Sequence, residues 1–371
     1  MNAGIYIHIP FCKNRCIYCD FFSTTHLNYK THYVNVLCNE LEQRKDYLNK
    51  HNIGTIYFGG GTPSLLSFPD FEKIFRTIQE NFLIEGFEDK EITIEANPED
   101  VNDRFLTLIN CFSFNRISLG VQSFRDEELI FLGRKHDAYS AVKAVENCQK
   151  KGFLNINVDL IYGLPGQSLK AWETTVQQAI SLNISHISAY HLTYEQGTKL
   201  DCMQRQGLIR PVDELESLEM FEILIDKLLT AGFEHYEISN FASPTYYSMH
   251  NIGYWNGSHY LGVGASAHSY NGKTRQWNRV DSGRIFNYLP EIEIMNDKTT
   301  YNDFIITRIR TMKGIDLDEL LLLCGEEKKL YCLNRAEKYM NNHLLQIISN
   351  HLQLTRKGLF VSDGIMCDLL S

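Results

Sequence analysis

Six short apolar, β-branched runs separated by amphipathic stretches fill the first two thirds of this chain. The runs span 4–9, 53–58, 91–96, 116–119, 154–161 and 186–193, and Gly, Pro or Asn residues bound them. Between them lie helix candidates at 29–49, 70–81, 103–110, 139–151 and 169–182. In the first of these, Tyr33, Val36, Leu37, Leu41 and Tyr47 are spaced for one helical face. A strand followed by a helix, six times in series, predicts a parallel sheet with crossover helices. Six units are too few for a closed eight-stranded barrel. The expected fold is α/β, a partial (β/α)6 TIM-like barrel, with its chemistry just beyond the strand ends.

The rhythm changes after about residue 235, where 236–270 is rich in Ser, Asn, Gly, His and aromatic residues. Helix candidates follow at 302–312, 317–324 and 335–340. The segments 352–355 and 359–361 flank Lys357-Gly358 and are expected to form a hairpin. The chain of 371 residues therefore divides into a core barrel, 1–235, and a smaller α+β, winged-helix-like part within 236–371.

Hydrophobic content of 44% and charged content of 22% suit a globular protein. A net charge of −9 argues against a nucleic-acid-binding surface, which needs cations to neutralise phosphates. No basic, apolar leader opens the sequence, and no run reaches the length of a membrane span. A cytoplasmic protein with reduced thiols is expected.

Three of the ten cysteines are grouped as Cys12-Lys-Asn-Arg-Cys16-Ile-Tyr-Cys19, directly after the first strand. Three thiolates on one short loop suit a cubane iron–sulfur cluster whose fourth iron stays open to a small molecule. Zinc held by these cysteines and His8, in an interaction protein, is the competing metal reading. The remaining cysteines are scattered and read as small apolar side chains.

The second strand runs into Gly59-Gly60-Gly61-Thr62-Pro63, where the backbone can approach a ligand closely. No Gly-Lys-Ser/Thr follows, so this is not a phosphate-binding P-loop. Glu95 ends the third strand, Gln122 follows the fourth, and Arg134 lies beyond it. Asp159 sits inside the apolar fifth strand and needs a partner or a polar ligand. The run Gly262-Val263-Gly264-Ala265-Ser266-Ala267 imitates a dinucleotide fingerprint but lies outside any βαβ unit, so it reads as a tight backbone feature.

The three-cysteine loop, the glycine turn and the six β-α units resemble the radical S-adenosylmethionine (SAM) superfamily. More narrowly, they resemble its oxygen-independent coproporphyrinogen III oxidase-like branch. The resemblance implies a [4Fe-4S] cluster on Cys12, Cys16 and Cys19, with SAM on the open iron. It also implies SAM contacts from Tyr6, Tyr18, Gly60, Gly61, Thr62, Glu95, Gln122, Arg134 and Asp159. One-electron reduction of the sulfonium to methionine and a 5′-deoxyadenosyl radical would need a flavodoxin- or ferredoxin-like donor.

Within that branch, oxidases that decarboxylate coproporphyrinogen III carry a further cysteine two residues after the third. Here Phe21 occupies that position. The HemW-type heme chaperones carry H-N-x-x-Y-W, which stands here as His250-Asn251-Ile252-Gly253-Tyr254-Trp255. The resemblance therefore implies heme as ligand and a heme-acceptor protein, membrane-associated or not, as partner. His250, Asn251, Tyr254 and Trp255 are the heme candidates, His250 first. His259 and His268 compete as iron ligands.

Overall fold

The computed structural model describes residues 2–280, 286 and 288–371. Six parallel strands follow one another across the sheet: β1 (Ala3–Ile9), β2 (Ile53–Gly60), β3 (Glu91–Ala96), β4 (Arg116–Gln122), β5 (Asn155–Tyr162) and β6 (His186–His191). The helices between them are α1 (Lys30–Gln43), α2 (Phe68–Asn81), α3 (Asp103–Asn110), α4 (Asp126–Leu132), α5 (Ala138–Lys150) and α6 (Leu169–Ser181). Two more, α7 (Lys199–Arg205) and α8 (Glu214–Thr230), follow β6.

Alternation along the strands explains the layering. Ile5, Ile7 and Ile9 of β1, Ile56 and Phe58 of β2, and Ile117, Leu119 and Val121 of β4 are fully buried in the apolar core with Leu37, Leu41 and Ile74 of the helices. The alternate positions of β4 to β6 are polar: Arg116, Ser118, Asn157, Asp159, His186 and Ser188. This barrel therefore encloses a hydrogen-bonding interior rather than a greasy one.

The sheet continues past residue 235. β7 (Glu234–Glu237) and β8 (Asn240–Ala242) extend it beyond β6, with β8 antiparallel to β6. The short helix α9 (Met249–Trp255) then leads to β9 (Tyr260–Val263), which pairs parallel to β1 on the opposite flank. β10 (His268–Tyr270), β11 (Thr274–Val280) and β12 (Tyr288–Ile294) complete twelve strands in an open sheet, with β7 and β12 at its edges. The C-terminal layer is α10 (Asp297–Ile309), β13 (Ile315–Asp316), α11 (Leu317–Asn341), β14 (Leu345–Ile348), β15 (His351–Leu354), α12 (Arg356–Leu359) and α13 (Ser362–Leu369).

Two sequence expectations fail locally. The first helix ends at Gln43 rather than 49, and turns carry the chain on to Asn49 and Lys50, which both take positive φ. The hairpin expected around Lys357-Gly358 is one strand earlier: β14 and β15 pair across Ser349-Asn350, both left-handed. Thr355 instead caps α12 by accepting from the Gly358 N–H at 3.2 Å, so Leu359 enters the core from a helix. The helix expected at 317–324 forms and stops at Gly325, φ 84°, and a second helix beyond it contains 335–340.

Candidate functional site

The cysteine loop leaves β1 and is pinned at its neck. The Cys12 N–H donates to the Thr24 carbonyl at 2.9 Å, and the Thr24 N–H returns to the Pro10 carbonyl at 2.6 Å. Its far side docks on the end of α4 and the start of α7: Ile17 N–H donates to Leu132 O, and Leu200 N–H to Ile17 O. Asn14 adds a bond to the Gly133 carbonyl at 3.2 Å. A loop held at both margins presents its thiols in a fixed direction.

All three cysteines line one cavity of about 430 Å³. Gly60, Gly61 and Thr62 line it from the turn after β2, and Tyr18 from the cysteine loop. Glu95, Gln122 and Asp159 line it from β3, β4 and β5, and Arg134 from beyond α4. The predicted site thus converges, with one exception. Tyr6 does not line the cavity; its hydroxyl meets His8 Nδ1 at 3.1 Å and its ring stacks on Tyr57.

Donors aim at the sulfurs. Thr62 Oγ1 lies 3.7 Å from Cys12 Sγ, and Arg134 Nη1 donates to Cys16 Sγ at 3.4 Å. Burial pushes the Cys19 thiol up to about 11 and raises Cys12 as well. Cys12 and Cys19, made costly to ionise by burial, and Cys16, met by a guanidinium N–H, fit ligands whose charge a metal cluster neutralises. Among the described residues, no three His, Cys, Asp or Glu side chains converge as ligands of a single metal ion. His8, the fourth ligand of the zinc reading, is buried with Nε2 on the Phe22 carbonyl at 3.0 Å and Nδ1 on Tyr6.

The glycine turn spends two of its backbone amides inside the protein. The Gly60 N–H donates to Glu95 Oε2 at 3.0 Å, and the Gly61 N–H to the Ile9 carbonyl at 2.8 Å. The glycines are needed for close approach: a Cβ on Gly61 would lie 2.8 Å from the Ile9 and Phe11 carbonyl oxygens. Glu95 also accepts from Tyr57 Oη at 2.9 Å. Burial, and then Asp159 nearby, push the Glu95 carboxyl up to about 7. Asp159 is raised by burial too, against hydrogen bonds from Asn157 (2.8 Å) and Ser118 (3.1 Å). Arg134 braces the wall by donating to Asn97 Oδ1 at 2.6 Å and the Gly120 carbonyl at 2.5 Å.

The 250–255 motif forms α9, which lies across the N-terminal ends of β1 to β3. Glu91, the first residue of β3, accepts from the Met249 and His250 N–H groups, both at 2.8 Å. The His250 ring is 3% exposed. Its Nδ1 meets Thr55 Oγ1 at 2.8 Å and its Nε2 meets Tyr254 Oη at 2.8 Å. Burial, then the Arg116 charge, hold this imidazole neutral down to about 3. The close fit explains Gly4, where a Cβ would come within 3.2 Å of the ring. Both ring nitrogens are therefore engaged inside the protein. His250 and Tyr254 border a second cavity, of about 340 Å³, beneath the barrel; His259 borders it too, with its Nδ1 buried and unpartnered. Only Asn251 of the motif reaches the large cavity. Trp255 lies under the Arg310 guanidinium, 4.0 Å from the ring centre.

Sequence reasoning missed Arg116, Asn157, Ser118 and Ser188, which line the cavity's interior part. The signal was present as polar residues at alternate positions of otherwise apolar strands.

Known proteins match this arrangement. The pattern of the radical SAM superfamily matches residues 6–179, and that of the HemN C-terminal domain matches 295–361. The heme chaperone HemW of Lactococcus lactis is 33% identical, covering 97% of this chain and 95% of its own length. HemW of Escherichia coli is 39% identical over 98% of this chain and 97% of its own. HemW of Bacillus subtilis is 37% identical over 90% and 86%. The solved structure of E. coli coproporphyrinogen III oxidase (HemN), a radical SAM enzyme, shares the fold with a TM-score of 0.84 at 21% identity, over 99% of this chain and 90% of that one.

A partial barrel with a three-cysteine loop at its mouth is the architecture of a radical SAM protein. Within that superfamily, the chain belongs to the HemW family of heme chaperones. No helix among the described residues is long and apolar enough to cross a membrane.

Proposed function

We propose that this chain binds heme and hands it to an acceptor protein. The observation that carries the reading is its likeness to heme chaperones over nearly the whole of both chains. In this reading Cys12, Cys16 and Cys19 hold a [4Fe-4S] cluster. Gly60, Gly61, Thr62, Glu95, Gln122, Arg134 and Asp159 hold exchangeable SAM against it, with Tyr18 beside them and Tyr6 behind. The cluster, when bound and reduced by a flavodoxin- or ferredoxin-like donor, supplies one-electron chemistry to the sulfonium. The protein's own residues orient the ligand's polar groups: Glu95 and Asp159 accept its hydroxyls or amine, and Arg134 fixes the wall beneath Cys16.

Phe21 favours the chaperone over the oxidase. It is 63% exposed at the cavity's rim, in the position where the oxidases carry a further cysteine. The heme candidates remain His250, Asn251, Tyr254 and Trp255. Iron ligation by His250 requires its bond to Thr55 or Tyr254 to open.

The test is heme titration of the reconstituted full chain, then mixing with an apo-haemoprotein. Saturable heme uptake followed by transfer is expected. A chain that takes up no heme, or that converts coproporphyrinogen III to protoporphyrinogen when given SAM and an electron donor, overturns the reading.

A further inference from the structure

Arg116 is sealed inside the barrel, 1% exposed, the most deeply buried arginine among the described residues. It opens β4, two residues before Ser118, and so lies at the floor of the cavity rather than at the strand ends. Its Nε has no hydrogen-bond partner, and its guanidinium forms no hydrogen bond or ion pair with any described residue. The neighbouring polar groups are already committed to one another. Asn157 donates to Ser118 Oγ at 2.8 Å and accepts from Ser188 Oγ at 3.1 Å, and its Oδ1 lies 2.6 Å from His186 Nδ1. Tyr57 is spent on Glu95.

Asn251 of α9 lines the same cavity, and its side-chain amide makes no hydrogen bond among the described residues. The Arg116 charge acts on the Glu95 and Asp159 carboxyls, yet neither is hydrogen-bonded to it, and a buried guanidinium whose N–H donors are unpaired is costly. A planar fork of N–H donors facing a cavity matches a carboxylate, which takes two parallel bonds from it. The Asn251 amide N–H, lining the same cavity, supplies a further donor.

We propose that Arg116 and Asn251 form a carboxylate-binding site at the barrel floor. Neither residue is among those assigned to SAM, although Glu95 and Asp159 of that set share the cavity and feel the Arg116 charge. It also gives the 250–255 motif a role that leaves the His250 nitrogens in place. The carboxylate is either a free small acid or the propionate arm of a porphyrin; the second source rests on the heme reading above.

The test uses the full chain with its cluster reconstituted anaerobically. Calorimetric titration with sodium propionate is compared between wild type, Arg116→Gln and Asn251→Leu, with sodium chloride as the control anion. Heme is then compared with heme dimethyl ester, whose propionates are blocked. At least tenfold weaker propionate binding in both variants, with unchanged cluster absorbance, supports a free acid. Preference for heme over the ester in wild type, lost in both variants, supports the porphyrin arm. Equal propionate binding in all three proteins, together with equal heme and ester binding, overturns the site and leaves the heme reading standing. If Arg116→Gln does not fold, Asn251→Leu decides, because that amide holds nothing else in place. Heme bound by no protein removes the porphyrin source alone, and the propionate arm then decides.

Discussion

Glu95 accepts the Gly60 N–H at 3.0 Å, so the carboxylate at the end of β3 holds the glycine turn at the end of β2. The same carboxyl is buried and titrates near 7 rather than 4.5. Between those values the folded protein holds the proton more tightly than the unfolded chain does. Stability from this group is therefore present below pH 4.5 and is lost as pH rises through 7, by up to about 3 kcal/mol. His250 acts in the opposite sense: its folded value near 3 removes stability as pH falls below 6.5. Glu95→Gln should flatten the decline in Tm between pH 5 and 8. An equally steep decline in the variant would show that other groups drive it.

The cysteines make a compositional prediction. Cys12→Ser, Cys16→Ser and Cys19→Ser should each lose most of the iron that the wild type binds, about four per chain. Cys38→Ser, in the buried face of α1, should keep it. Iron analysis after anaerobic reconstitution distinguishes the two outcomes.

Gly60 takes φ 105°, and a side chain there would run into the His8 imidazole. Gly60→Ala should cost on the order of 1–3 kcal/mol by strain alone, read from denaturant midpoints. It should weaken SAM as well, because the turn and Glu95 move together. A variant as stable as wild type would mean that the turn can relax without cost.

His250→Ala removes a ring bonded to Thr55 and Tyr254 and packed on Gly4. A loss of about 2–4 kcal/mol is expected from the cavity and the stranded hydroxyls. Its heme Soret band should differ from wild type if the imidazole reaches iron. An unchanged band in a folded variant would assign the motif's histidine to architecture alone.

The six strands and the converging site were readable because their signals are local. Strand period, flanking glycines and cysteine spacing survive without knowledge of the fold. Other features depend on distant partners. Leu359-Phe360-Val361 has strand-like composition, but Thr355 caps a helix there and the core accepts Leu359 from it. The true hairpin carried a weaker sign, Ser349-Asn350 between two alternating runs. Histidine beside aromatics suggested an iron ligand, yet only the assembled barrel reveals that Thr55 and Tyr254 already occupy both nitrogens. Arg116 looked like the start of an ordinary strand, since nothing nearby in sequence marks it as enclosed.

The C-terminal layer secures α9 from outside. Arg308 donates to the Trp255 carbonyl, and to that of Asn256 at 2.9 Å. Arg310 covers the indole and donates Nε and Nη2 to Glu237, which is 0% exposed, both at 3.1 Å. Arg310→Met should therefore cost about 3 kcal/mol by leaving that carboxylate without its cation, measured by chemical unfolding. Held in this way, α9 keeps Asn251 at the bottom of the cavity that the three cysteines line. In the proposed reading, a molecule resting on that floor would share one chamber with the cluster and SAM. The turnover of each occupant would then set the other's timetable, with SAM exchange at the strand ends felt as far down as α9.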